Sequence, residues 1–236
     1  MKLAILPSLL LCLLLGTVAA DAQSGPQVTS QTRAVPAFTR LELRAPIPTD
    51  VHEGRAARVT VQIDDPLQAH LVTRVSGDTL IVDLDARGNV EISRGAHVSI
   101  DVPSLIGITL EGPGDADVEG AGAHPQVDFV LRGPGGFHWS GDADVVRCQM
   151  DGPGGAVLHG SAKRIEANVD GPGSLDARAF PIAGGTFEVG GPGSVTANLR
   201  GGDVSVVVNG PGSFRYTGDA HFVRAEVRGP GAIRKL

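Results

Sequence analysis

The tripeptide Gly-Pro-Gly recurs seven times in this chain. It stands at Gly112-Pro113-Gly114, Gly133-Pro134-Gly135, Gly152-Pro153-Gly154, Gly171-Pro172-Gly173, Gly191-Pro192-Gly193, Gly210-Pro211-Gly212 and Gly229-Pro230-Gly231. Successive copies lie 21, 19, 19, 20, 19 and 19 residues apart. A steady period of this length marks one supersecondary unit stacked on itself.

Between the tripeptides the chain alternates. Two residues before each first glycine stand Leu110, Leu131, Met150, Val169, Val189, Val208 and Val227; four before it stand Ile108, Phe129, Cys148, Ala167, Phe187, Val206 and Ala225. Four residues after it come Ala116, Phe137, Ala156, Leu175, Val195, Phe214 and Ile233. These columns are apolar or small, and polar residues fill the positions between them. Period two is the signature of a strand with one buried face. The expected architecture is all-β: a right-handed parallel β-helix (β-solenoid) with about 19–20 residues per coil. A lone coil buries too little apolar surface to offset the ordering of its backbone, so coils are stable only when stacked. Outward columns agree with stacking: Asp128, Arg147 and Glu166 follow one another, as do Glu111, Arg132 and Asp151, with alternating sign. The tripeptides themselves read as structural turns. Proline at the second position and glycine at the third predict a type II turn with positive φ at the second glycine.

The earlier residues carry strand patterns without the tripeptide. Phe38/Leu41/Leu43, Val59/Val61/Ile63, Leu71/Thr73/Val75, Leu80/Val82/Leu84 and Val98/Ile100/Val102 mark five strands, with turn signals at residues 47–50, 64–66, 76–78 and 87–89. The expected organisation is a signal peptide over 1–22, a flexible leader over 23–35 and a single β-helical domain over 36–236. Within that domain, residues 36–105 form irregular first coils and 106–236 the regular ones.

Residues 1–22 carry the secretory pattern: Lys2, an apolar run over 3–18, and Ala20-Asp21-Ala22 as a small-x-small cleavage site. Leu11 occupies the place where a lipoprotein signal ending at Cys12 needs a small residue. After cleavage Cys148 is the one remaining cysteine and falls in an inward column, so it reads as a small core hydrophobe rather than half of a disulfide. A net charge of -6 with interspersed signs gives no basic stripe for nucleic acid, and no membrane span is expected once the signal is removed.

Three stretches resemble a known family: "RAVPAFTRLEL" (residues 33–43), "SGDTLIVDL" (76–84) followed by "HVSIDVPSLIGITLEGPGDADVEG" (97–120), and "GPGSFRYTGDAHFVRAEVRGPGAIRKL" (210–236). In order and spacing they resemble the auto-transporter adhesin head GIN domain family, across residues 33–236. The resemblance implies a β-helical fold and a bacterial periplasmic or cell-surface location; it supplies no catalytic residues. Family members usually carry Gly-Ser-Gly where this chain has Gly-Pro-Gly. The Gly-Ile-Asn tripeptide is replaced here by Gly107-Ile108-Thr109.

Phosphate-cradling glycine loops open a helix, whereas every Gly-Pro-Gly here opens a strand. A calcium ladder needs its aspartate repeated, yet the Asp117 column continues as His138, Val157, Asp176, Thr196 and Arg215. The strongest metal candidate is Asp117, Glu119, His138 and His159, outward on three successive coils. For catalysis the best carboxylate pairs, Asp115/Asp117 and Asp142/Asp144, fall at different phases of the repeat and form no common site. Trp139 and Tyr216 fall in an inward column, which leaves no aromatic platform for sugars.

These readings point to a non-enzymatic exported protein for envelope association or adhesion. Its partners would be envelope or cell-surface components, and no cofactor is implied. The alternative is a polysaccharide-acting enzyme or metal-dependent glycan binder on one β-helix face.

Overall fold

The computed structural model describes residues 27–86 and 90–236; the signal sequence expected at 1–22 and the turn expected at 87–89 lie outside them. Eight short strands come first: β1 (Val28–Arg33), β2 (Arg40–Leu43), β3 (Thr49–Glu53), β4 (Arg58–Asp64), β5 (Leu71–Ser76), β6 (Thr79–Leu84), β7 (His97–Val102) and β8 (Gly107–Leu110). Six long ones follow: β9 (Ala116–Leu131), β10 (Gly136–Met150), β11 (Gly155–Val169), β12 (Ser174–Val189), β13 (Ser194–Asn209) and β14 (Ser213–Arg228). The last is the short β15 (Ala232–Lys235). From β9 to β15 each strand pairs in parallel with the next, so this is a β-solenoid with one long strand per coil.

Most pairings of the long strands shift register near their middle. Pairing between β9 and β10 shifts register between Ser140 and Asp142, and between β11 and β12 it shifts between Val157 and Ala162. A coil therefore presents a first segment after Gly-Pro-Gly and a second segment before the next one. Apolar columns of both segments meet inside: Phe137, Val146, Met150, Leu158, Val169, Phe187 and Val208 are all fully buried. Phe129, Trp139 and Phe180 form a chain of rings 5.3 and 5.6 Å apart through this core.

The tripeptides are corners, but not of the expected kind. No glycine after proline has positive φ; that conformation appears at the opposite bend, as in Gly160 (φ 111°), and at the first glycine of the last two tripeptides, Gly210 and Gly229. What demands glycine at the tripeptide is the neighbouring corner. A Cβ on Gly135 would stand 2.3 Å from the carbonyl oxygen of Gly114, and one on Gly154 2.4 Å from that of Gly135. The stacked corners touch backbone to backbone, which leaves no volume for a side chain.

The N-terminal layers depart from chain order. The first segment of β9 pairs with β3, and β3 with β7; the second segment of β9 pairs with β8, β8 with β2, and β2 with β6. The β2–β3 layer thus lies between the β6–β7 layer and the β8–β9 layer. Residues 44–48 serve as its corner and pack on Gly112 and Gly114 through the carbonyls of Arg44 and Ile47. The turn expected at residues 47–50 is accordingly corrected: Thr49 and Asp50 begin β3, because their outlet is a ladder with Val98 and Ala116 rather than a hairpin. The flexible leader is also corrected. Residues 28–33 form β1, antiparallel to β4, and β4 is antiparallel to β7, while β5 is antiparallel to β6. These antiparallel strands close the N-terminal end of the solenoid.

Candidate functional site

Two outward faces carry the polar chemistry. On the first-segment face, parallel register sets Asp50 beside Asp117 and His52 beside Glu119 on β3 and β9, then His138 beside Asp117 on β10. Imidazoles meet carboxylates across the strands: His97 Nε2 lies 3.0 Å from Asp50 Oδ2, and His138 Nδ1 2.8 Å from Asp117 Oδ1. Of the expected metal quartet, Asp117 and His138 therefore come together. Glu119 instead faces His52 at 3.7 Å. His159 stands by Asp176, whose carboxyl is held below the usual range chiefly by the Arg178 hydrogen bond, with a smaller contribution from His159. Among the described residues no three His, Cys, Asp or Glu side chains converge as a metal site.

On the second-segment face a groove of about 420 Å³ runs along the solenoid axis over β9, β10 and β11, and Arg40 of β2 reaches into it across Gly107 of β8. Its walls are ion pairs between coils. Arg40 Nη2 bonds Asp128 Oδ2 at 3.1 Å, and Arg147 Nε donates to Glu166 Oε2 at 3.0 Å. The Arg147 hydrogen bond, more than any other contact, lowers the Glu166 pKa. Gln149 and Asn168 follow one another along the groove, each donating its amide to the aspartate two residues on, Asp151 and Asp170. Strand spacing places these groups about 4.8 Å apart along the axis. The charge ladder read from the sequence supplied Asp128, Arg147 and Glu166; Arg40 was not legible because β2 belongs to a layer out of chain order.

Every carboxyl with a resolved shift, at Asp64, Glu166, Asp176 and Glu226, is lowered, the opposite of what a general acid needs. The carboxylate pairs weighed for catalysis are otherwise engaged. Asp115 accepts from the Gly136 N–H at 2.7 Å, Asp142 accepts from Ser161 Oγ at 2.6 Å, and Asp144 pairs with Lys163 at 2.7 Å. Trp139 is 2% exposed and offers no stacking surface.

A β-solenoid closed at its N-terminal end, with polar, ion-paired faces, is the class of protein these features define. Residues 37–220 match the family described as putative auto-transporter adhesin, head GIN domain, and the chain belongs to that family. Among solved structures it is similar to a putative adhesin from Bacteroides fragilis at 20% identity and TM-score 0.84, covering 90% of this chain and 98% of that one. A putative adhesin from Parabacteroides distasonis is 16% identical with TM-score 0.70, covering 89% and 98%. A putative lipid binding protein from the same species is 16% identical with TM-score 0.70, covering 91% and 98%. At these identities the likeness establishes the fold. No curated protein matches this chain. Among the described residues no helix is long and apolar enough to cross a membrane.

Proposed function

We propose that this chain is a non-enzymatic, exported adhesion module of the bacterial envelope, and that the second-segment groove is its contact with an extended, hydroxyl-rich glycan chain. One observation carries the reading: fixed donors and acceptors repeat on the successive strands β9, β10 and β11, from Arg40–Asp128 to Arg147–Glu166, with amides alongside. A polymer of hydroxylated units lying along the axis would meet the same kind of polar group at each strand. Ion pairs between coils hold those groups in place before any ligand arrives, which lowers the ordering cost of binding. Export is supported by the apolar run and cleavage pattern of residues 1–22, and adhesion by the family description.

The test is co-sedimentation of the purified chain with insoluble cell-wall glycan, alongside the Arg147→Ala/Asn168→Ala double variant. Binding by the native chain, weakened at least about tenfold in the variant, is the expected result. No binding to glycan, or equal binding by the variant, would overturn it. The alternative, metal-dependent binding or polysaccharide cleavage on the first-segment face, draws on the Asp117–His138 contact. It requires that chelator and the Asp117→Ala/His138→Ala variant abolish binding, or that soluble sugar fragments are released.

A further inference from the structure

The two ends of the solenoid differ. Antiparallel β1, β4 and β5 close the N-terminal end, whereas β15 covers only Ser213–Tyr216 of β14, in the register Ser213↔Ala232 to Tyr216↔Lys235. The rest of β14 has no strand beyond it among the described residues. Its inward column shows the consequence. In β13, Val204 and Val208 are fully buried. In β14, Val227 is 42% exposed, and a bulge at Val223 leaves that side chain 59% exposed, since register passes from Val204↔Phe222 to Ser205↔Arg224. Outward on the same edge, Glu226 is paired along its own strand, with Arg224 at 2.6 Å and Arg228 at 2.7 Å.

We propose that a second copy of this chain covers the edge. The two copies would join tail to tail about a two-fold axis, with β14 pairing antiparallel to β14 of the partner subunit around Ala225. Directly opposed residues share a face. In this register Arg224 opposes the partner subunit's Glu226 and Glu226 opposes the partner subunit's Arg224. Val227 meets the partner subunit's exposed Val223. This is the reciprocal pattern of a two-fold interface, in which residue i meets j and j meets i. Because both solenoids wind with the same hand, the axis lays one exposed ledge along the other, and the apolar column continues from copy to copy. Charge and the exposed valines together select the register. Centring on Glu226 sets that carboxylate against itself and Arg224 against Arg228. Centring on Val227 keeps two reciprocal ion pairs, Glu226 against the partner subunit's Arg228 and Arg228 against the partner subunit's Glu226, but leaves Val223 facing the Gly229–Gly231 corner. An unrelated partner strand has no reason to carry the complementary Arg-x-Glu order; a second copy carries it by symmetry.

Sedimentation velocity of the purified chain over a dilution series tests this. A dimer that dissociates on dilution is expected. Glu226→Arg places like charges across the axis and should raise the dimer Kd by about tenfold or more. Arg224→Glu combined with Glu226→Arg swaps the pair and should restore the dimer. Circular dichroism and Trp139 emission establish that each variant is folded. A native chain that stays monomeric at every concentration, an open-ended polymer, a dimer indifferent to Glu226→Arg, or a double variant as weak as the single one would each refute the proposal.

Discussion

Glu53 Oε2 lies 3.0 Å from His124 Nε2, and the two side chains are only 4% and 8% exposed. The contact is at ion-pair distance but is not aligned as a hydrogen bond. The other carboxylate oxygen, Oε1, accepts from the Leu105 N–H at 2.7 Å. One carboxylate therefore ties together the end of β3, the link between β7 and β8, and the bend of β9. Removing one member of a buried pair leaves the other without compensation, at a cost of about 3 kcal/mol. Glu53→Ala and His124→Ala should each lower stability by about that amount, and the double variant by much less than their sum. Urea unfolding followed by the emission of Trp139 measures all three.

The Gly-Pro-Gly corners make a second, graded prediction. Alanine at Gly135 sets its Cβ against a backbone carbonyl of the preceding corner, and backbone cannot rotate away as a side chain can. The cost should be about 2 kcal/mol or more. Pro134→Ser keeps the packing and mainly loosens the unfolded chain, for about 0.5 kcal/mol. Thermal melts of the two variants should rank them in that order. Equal losses would return the corner to a proline-driven turn.

Most of the regular solenoid was legible because its information is local and repeated. The apolar columns fixed which residues face inward, and Phe137, Trp139 and Cys148 are buried where period two places them. The glycines were identified for the wrong physical reason. A sequence displays the backbone freedom of glycine, but not the 2.3 Å approach of another coil. The early layers were less legible, since a strand outside the repeat carries no mark of which layer it joins. Pro48 and Asp50 made residues 47–50 look like a turn, although a corner and the start of β3 need the same residues. At the candidate sites, columns supplied Asp117–His138 and Arg147–Glu166, which are one period apart. Arg40–Asp128 and Glu53–His124 join segments 88 and 71 residues apart, and no periodicity relates them.

Acid should loosen the N-terminal cap through Asp64. This aspartate is 2% exposed and accepts both the N–H of Ser93, at 2.8 Å, and its hydroxyl. Those bonds, the hydroxyl's first, lower its pKa below the ordinary 3.8. A carboxyl depressed in the folded state stabilises it fully above the unfolded value, and that contribution fades as pH falls through the folded one. The native chain should hold a constant contribution from this site at neutral pH and lose it below about pH 4. Ser93→Ala removes the hydroxyl bond, so its stability deficit should be largest at neutral pH and shrink on acidification. Urea midpoints across the acid range read the difference; a deficit independent of pH would assign Ser93 a packing role alone.

Cys148 gives the last prediction, because its chemistry and its packing point the same way. The side chain is 2% exposed in the second-segment core, in register with Phe129 and Ala167. Burial pushes its thiol up to about 12, and the thiolate is the form that reacts with alkylating and disulfide reagents. In a chain begun at Gln23, where Cys148 is the single cysteine, a thiol reagent should find no reactive group under native conditions and one equivalent in denaturant. The labelling rate in sub-denaturing urea should then follow the opening of the solenoid, rising in step with the loss of Trp139 burial. Rapid labelling of the native chain, with Trp139 emission unchanged, would mean that the second segment opens locally while the rest of the coil stays closed.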